Sequence, residues 1–178
     1  MYPKIFQPKY LEPFSINNET LLVPKCIVTF EKWTGKPIAE TFGGKPLVSI
    51  GDRPMFAELA IITKFINSGW NARWIETYGK HSGPIFLTDW KDDKYRNQIN
   101  VPITDEKRLT LLANIAKLNG NSYSGCWDTL AWKEDQIIFA ESKRKKRDSI
   151  RSTQTNWLYA GLQYGLNLEN FLIVEWDM

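Results

Sequence analysis

The chain has 178 residues and 20.7 kDa, 43% of it hydrophobic and 24% charged, with eight tryptophans, a composition that supports a packed core and excludes a disordered chain. A formal charge of +3 and a pI near 8.8 are only mildly basic, so net charge alone selects no partner. The length suits one compact domain with room for an added subdomain, and no apolar run approaches the roughly 20 residues needed to cross a bilayer.

The start, MYPKIFQPKY, lacks the apolar centre of a signal peptide, which makes the cytoplasm the default location. Residues 1–50 are rich in proline and glycine and read as an N-terminal elaboration packed on the core, with strands expected at Leu21–Phe30 and Pro46–Ile50 and a hairpin among them. GGKP at 43–46 lacks the GxxxxGK[ST] spacing of a phosphate-binding loop and reads as a turn. Cys26 and Cys126 are too few and too scattered for a disulfide framework, so two reduced thiols are expected. Asp52 to Asn67 reads as a helix, with Asp52 as its cap, Pro54 in the first turn and Gly69 after its end. Its stripe is Met55, Phe56, Leu59, Ile62, Phe65 and Ile66. Glu58 has Met55, Ile62 and Phe65 as stripe neighbours and points partly at the core, either as a salt-bridged edge residue or as part of a site.

Trp70 to Tyr78 alternates as a strand with Trp70, Ala72, Trp74, Glu76 and Tyr78 on one face, which lets Glu76 approach the same region. Residues 79–124 interrupt the pattern with a polar loop, TDWKDDKYRNQ, and a helix predicted over Asp105 to Leu118 after Thr104 as N-cap. The sole histidine, His81 in GKHSG, has no partner set for nucleophilic chemistry and reads as a surface loop residue.

The stretch Gly125 to Lys143, GCWDTLAWKEDQIIFAESK, reads as a β-hairpin. A turn centred between Glu134 and Asp135 sets Asp128 opposite Glu141, with Cβ atoms about 4.5–5.5 Å apart. Alternation returns Lys143 to that face, which Leu130, Trp132, Ile137 and Phe139 share. Two carboxylates and an ammonium bordering an apolar surface cost on the order of several kcal/mol unless paired, and a divalent cation pairs them most directly. The pattern points to metal-dependent cleavage of phosphodiesters. Beyond it, KRKKRDSIR places Arg144, Lys145, Lys146, Arg147 and Arg151 against the single acid Asp148. Such a run alone is a solvated loop, but it leaves the strand end where a phosphate backbone would lie. A helix over Ser152–Tyr164, ended by Gly165, carries Gln154 toward its apolar face, where the amide must be hydrogen-bonded to backbone, to a carboxylate or to a water at the site. Phe171–Trp176 closes the chain as a buried strand.

Helix, strand, D-x12-E-x-K hairpin, helix and strand in this order resemble the PD-(D/E)XK nuclease superfamily, and within it the VRR-NUC (virus-type replication-repair nuclease) domains. The likeness covers about residues 54–176 and rests on Glu58, Asp128, the Glu141-Ser142-Lys143 triplet, and Gln154 in DSIRSTQTNWLYAGLQYG. Trp127 stands where that family usually has proline, and Ser142 where an apolar residue is common, but neither change removes a metal-binding side chain. The resemblance implies an α/β, restriction-endonuclease-like core in residues 51–178, a mixed central β-sheet flanked by helices in the order αβββαβ, with the insertion at 79–124. It implies Mg²⁺ or Mn²⁺ held by Asp128, Glu141 and the Ser142 carbonyl, with Glu58 acting through water or on a second ion. The metal would activate water for attack on phosphorus, Lys143 would orient the nucleophile or stabilise the transition state, and Gln154 would position the network.

Arg144, Lys145, Lys146, Arg147 and Arg151 would hold nucleic acid, DNA in preference to RNA, with little reading of bases. Branched substrates would favour a homodimer. A replication, repair or defence role in a phage or mobile element fits the small size. The rival class is a non-catalytic nucleic-acid-binding or assembly module that keeps the fold. A decayed site would be expected to lose Asp128, Glu141 or Lys143, and all three remain.

Overall fold

The computed structural model describes residues 2–16, 18–77 and 83–178. Tyr78 and His81, both named above, lie outside the described residues. Among these residues no helix is long and apolar enough to cross a membrane.

The strands are β1 (Tyr10–Ile16), β2 (Glu19–Thr29), β3 (Glu31–Lys32), β4 (Val48–Ile50), β5 (Arg53–Met55), β6 (Asn71–Glu76), β7 (Ile85–Leu87), β8 (Thr129–Lys133), β9 (Gln136–Arg144) and β10 (Phe171–Asp177). The helices are α1 (Ala57–Asn67), α2 (Glu106–Leu118) and α3 (Ser152–Tyr164). A seven-stranded mixed sheet runs β1-β2-β10-β9-β8-β6-β7, parallel at β2/β10 and β10/β9 and antiparallel elsewhere. Helices cover both faces. On one, α1 buries Leu59, Ile62 and Phe65 against Trp74, Ala131, Ile138, Ala140 and Val174. On the other, α2 and α3 bury Leu111, Ile115, Trp157 and Leu158 against Leu130, Trp132, Phe139 and Ile173. Strands covered on both faces read as near-continuous apolar runs, as FLIV does at the start of β10.

The hairpin has the expected register. Thr129 pairs with Ala140 and Lys133 with Gln136, around a turn at Glu134 and Asp135 in which Glu134 has φ +51°. The last helix spans Ser152–Tyr164 as predicted, stopped by Gly165 at φ +108°, a conformation that disfavours any side chain with a Cβ.

Several elements differ from the sequence reading. The N-terminal hairpin is β1 and β2, and β2 is a full member of the central sheet, bonded to β10, rather than an element packed on it. The first helix starts at Ala57, because Arg53–Met55 pairs instead with Val48–Ile50 in a small three-stranded sheet. Pro54 is therefore on that sheet's edge strand, where its missing N–H costs no ladder bond. The 79–124 insertion contributes edge strand β7 as well as α2. Asp105, not Thr104, caps α2: its carboxylate accepts from the Arg108 N–H at 3.3 Å.

Capping bonds of this kind are worth about 1 kcal/mol. Asp105→Ala should lower stability by about that amount in chemical denaturation, while Thr104→Ala at an exposed position stays within about 0.5 kcal/mol of the parent.

Candidate active site

The site forms where β8 and β9 part. Antiparallel pairing holds as far as Thr129 and Ala140. Just beyond that pair, side chains link the two strands: the Asp128 N–H donates to Glu141 Oε2 at 3.3 Å and the Ser142 N–H donates to Asp128 Oδ2 at 3.0 Å. Outward from the gap, the Asp128 carbonyl accepts from Ile75 N–H on β6 at 2.7 Å, while β9 continues against β10 with Ser142 opposite Val174. Each backbone is thus anchored to its outer neighbour, and the carboxylates lie between them.

Gly125 and Trp127 fix the approach to Asp128. Gly125 has φ +77°, and a Cβ built there would lie 2.1 Å from the Thr153 carbonyl oxygen, so the chain passes against the first turn of α3 only because the side chain is absent. The fully buried Trp127 donates its indole N–H to the Gln154 carbonyl at 3.1 Å and packs edge-on to Phe171 at 5.1 Å. Trp127 is therefore a tether between strand and helix.

Lys143, one alternation beyond Glu141, places Nζ 3.1 Å from Glu141 Oε1, and both side chains are buried. Gln154 joins them: its amide N–H donates to Glu141 Oε1, and its carbonyl oxygen accepts from Lys143 Nζ at 2.9 Å and from the Arg151 backbone N–H at 2.9 Å. Two of the three partners expected for this glutamine are realised, a carboxylate and the backbone at the start of α3. The Ser142 hydroxyl accepts from the Trp176 indole at 2.9 Å and points away from the carboxylates.

Glu58 arrives from α1, on the opposite face of the sheet, and is buried. Its Oε1 is 2.6 Å from Lys45 Nζ. Sequence reasoning missed Lys45. Its only local signal is a single basic residue following the glycine pair of the 43–46 turn. Glu76 borders the cavity too.

These groups line a cavity of about 790 Å³. Of the basic segment, Arg144, Arg147 and Arg151 border it, and the Arg144 guanidinium also lies 5.8 Å from the Trp176 ring. Lys145 and Lys146 do not border it; Lys145 pairs with Asp177 at 3.3 Å. Cys126 is in the wall, and burial first and then the charges of Glu141 and Asp128 push its thiol well above the usual range, which favours the neutral thiol.

Burial is the main cause that holds both central carboxyls above their ordinary values. The charges of Glu141 and Glu58 add to it for Asp128, while the Lys143 ammonium opposes it for Glu141. Asp128 and Glu141 present carboxylate oxygens, the donor type a hard divalent cation takes. Asp128 and Glu141 are the pair that could hold one. Among the described residues, no group of three or more His, Cys, Asp and Glu side chains is arranged to hold a metal ion, and Glu58 is engaged by Lys45.

The raised values carry a sign for stability. The unfolded chain ionises these carboxyls near pH 4, the folded chain at higher pH, so the folded form holds more protons in between. Their contribution to stability is therefore full below about pH 4 and declines as pH rises through the folded values. Thermal melts in a chelator between about pH 5 and pH 8 should show a fall with pH that Asp128→Asn flattens. An Asp128→Asn protein with the same slope as the parent would contradict this account.

Comparison with protein-family models, with curated proteins and with solved structures finds no match to this chain.

Proposed function

We propose that the chain is a metal-dependent nuclease of the PD-(D/E)XK type, closest to VRR-NUC domains, with a restriction-endonuclease-like core, acting on DNA in preference to RNA. One observation carries this reading. Asp128 and Glu141 face each other across the gap between β8 and β9, with Lys143 and Gln154 bonded to Glu141 in the same cavity. A mixed central sheet flanked by helices, with α1 before the β8–β9 hairpin and α3 after it, supports this reading.

Asp128 and Glu141 would hold Mg²⁺ or Mn²⁺, with the Ser142 carbonyl, and Glu58 would act through water. Bound there, such an ion supplies Lewis acidity, making water a better nucleophile and offsetting negative charge at phosphorus. The protein's own groups do the rest. Lys143 presents an ammonium to the charge that develops on the phosphoryl oxygens, held in place by Glu141 and Gln154. Gln154 fixes one Glu141 oxygen and ties it to the start of α3, so carboxylate and helix move together. Arg144, Arg147 and Arg151 would receive flanking phosphates by bidentate bonds.

The second reading is a nucleic-acid-binding module without catalysis. It is favoured by the lack, among the described residues, of a three-carboxylate group arranged around one ion. Labelled linear, flapped and four-way DNA incubated with Mg²⁺ or Mn²⁺ separates the two. Cleavage by the parent that Asp128→Asn and Glu141→Gln each abolish is expected, with Gln154→Ala retaining activity reduced by about 10–100-fold. Binding without cleavage under every metal condition would establish the second reading.

Phosphate contact is tested in the Glu141→Gln background. Changing Arg144, Arg147 and Arg151 to alanine should weaken DNA binding at every sequence and flatten the salt dependence by about 0.7–0.9 per lost contact. Changing Lys145 and Lys146 should have the smaller effect, since neither borders the cavity. Affinity and salt slope unchanged by either set would return the whole segment to a solvated loop.

A further inference from the structure

Lys45 comes from the segment joining β3 to β4, outside the residues that carry the family resemblance. A turn at residues 42–44 delivers it to the cavity, where its Nζ lies 4.9 Å from the Trp74 ring centre and 5.3 Å from that of Phe42. Two aromatic faces and the 2.6 Å bond to Glu58 hold the ammonium at one place, with its side chain one-third exposed. Both cation–π contact and a carboxylate favour a cation there over an empty space. Asp128 and Glu76 act on it as further negative charges.

The cavity floor brings Glu58, Glu76, Asp128 and Glu141 together with Lys45 and Lys143. Glu58 is the only one of the proposed ligands on α1, and a second ion would need its carboxylate. That carboxylate already has a cation on it.

We propose that the Lys45 ammonium holds the position at Glu58 that a second divalent ion would require, so that the N-terminal segment sets the site to take a single ion. Lys45 is thus a specificity-determining residue for metal number, and Glu58 acts on the bound ion only through water. The proposal rests on the reading that Asp128 and Glu141 hold a divalent cation.

The test counts ions instead of turnover. Mn²⁺ binding to the full chain, followed by the loss of free-ion paramagnetic resonance signal and by calorimetry, should give about one ion per chain for the parent and for Lys45→Arg, which keeps the charge. Lys45→Met keeps length without charge, frees Glu58, and should bind about two. Adding Glu58→Gln to Lys45→Met should return the count to about one, and this double variant has no unpaired Glu58 to impair folding. Two ions on the parent, or an unchanged count in folded Lys45→Met, would overturn the proposal while leaving the nuclease reading intact. No Mn²⁺ bound by the parent would overturn both.

Discussion

The separation of β8 from β9 at a single residue pair is the constraint on which the rest of the site depends. Up to Thr129 and Ala140 the strands share backbone rungs. At Asp128 and Glu141 each carboxylate accepts a backbone N–H from the other strand, Glu141 from Asp128 and Asp128 from Ser142. The Asp128 and Ser142 N–H groups are thereby satisfied, as buried backbone donors require. The same two bonds aim the acids at each other. Two like charges would drive the strands further apart were β8 not fastened to β6 through Ile75 and β9 to β10 through six successive register pairs from Phe139 to Arg144.

The gap also lets opposite faces of the sheet contribute to one cavity. Glu141, Lys143 and Gln154 belong to the side covered by α3, whereas Glu58 and Lys45 come from the side covered by α1. In an intact sheet the backbone layer keeps side chains of opposite faces apart. The arrangement is two carboxylate–ammonium pairs, Glu141 with Lys143 and Glu58 with Lys45, flanking an Asp128 that neither lysine bonds directly. Truncating one partner of a buried pair typically costs about 3–5 kcal/mol because the other charge is left behind. Burial and the charges of Glu141 and Glu58 hold the Asp128 carboxyl well above its usual range, with the Lys45 ammonium opposing them.

The first 50 residues are structural and chemical at once. β2 extends the sheet beyond β10 and supplies Cys26 and Val28 to one core and Val23 to the other. The segment after β3 supplies Lys45. A truncated chain beginning at α1 would therefore lose a partner strand for β10 and the counter-charge of Glu58 together.

The sequence by itself determined the hairpin register, the bounds of α3 and the strand at Phe171, because each depends on local chemistry. A fixed number of residues and a polar turn place Asp128 against Glu141, and a helix pattern closed by glycine ends at Tyr164. It also offered candidate partners for Gln154 without choosing among them. Only the tertiary structure decided the elements that depend on distant chain segments. Whether Arg53–Met55 begins a helix or pairs as a strand is settled by Val48–Ile50, and whether residues 10–29 pack on the core or enter the sheet is settled by β10. Asp105 took the α2 cap from Thr104 because its carboxylate reaches the Arg108 N–H. Lys45 was invisible for the same physical reason: a lysine after two glycines has no periodicity to report its neighbours, and its importance comes from Glu58, Trp74 and Asp128 meeting it in space.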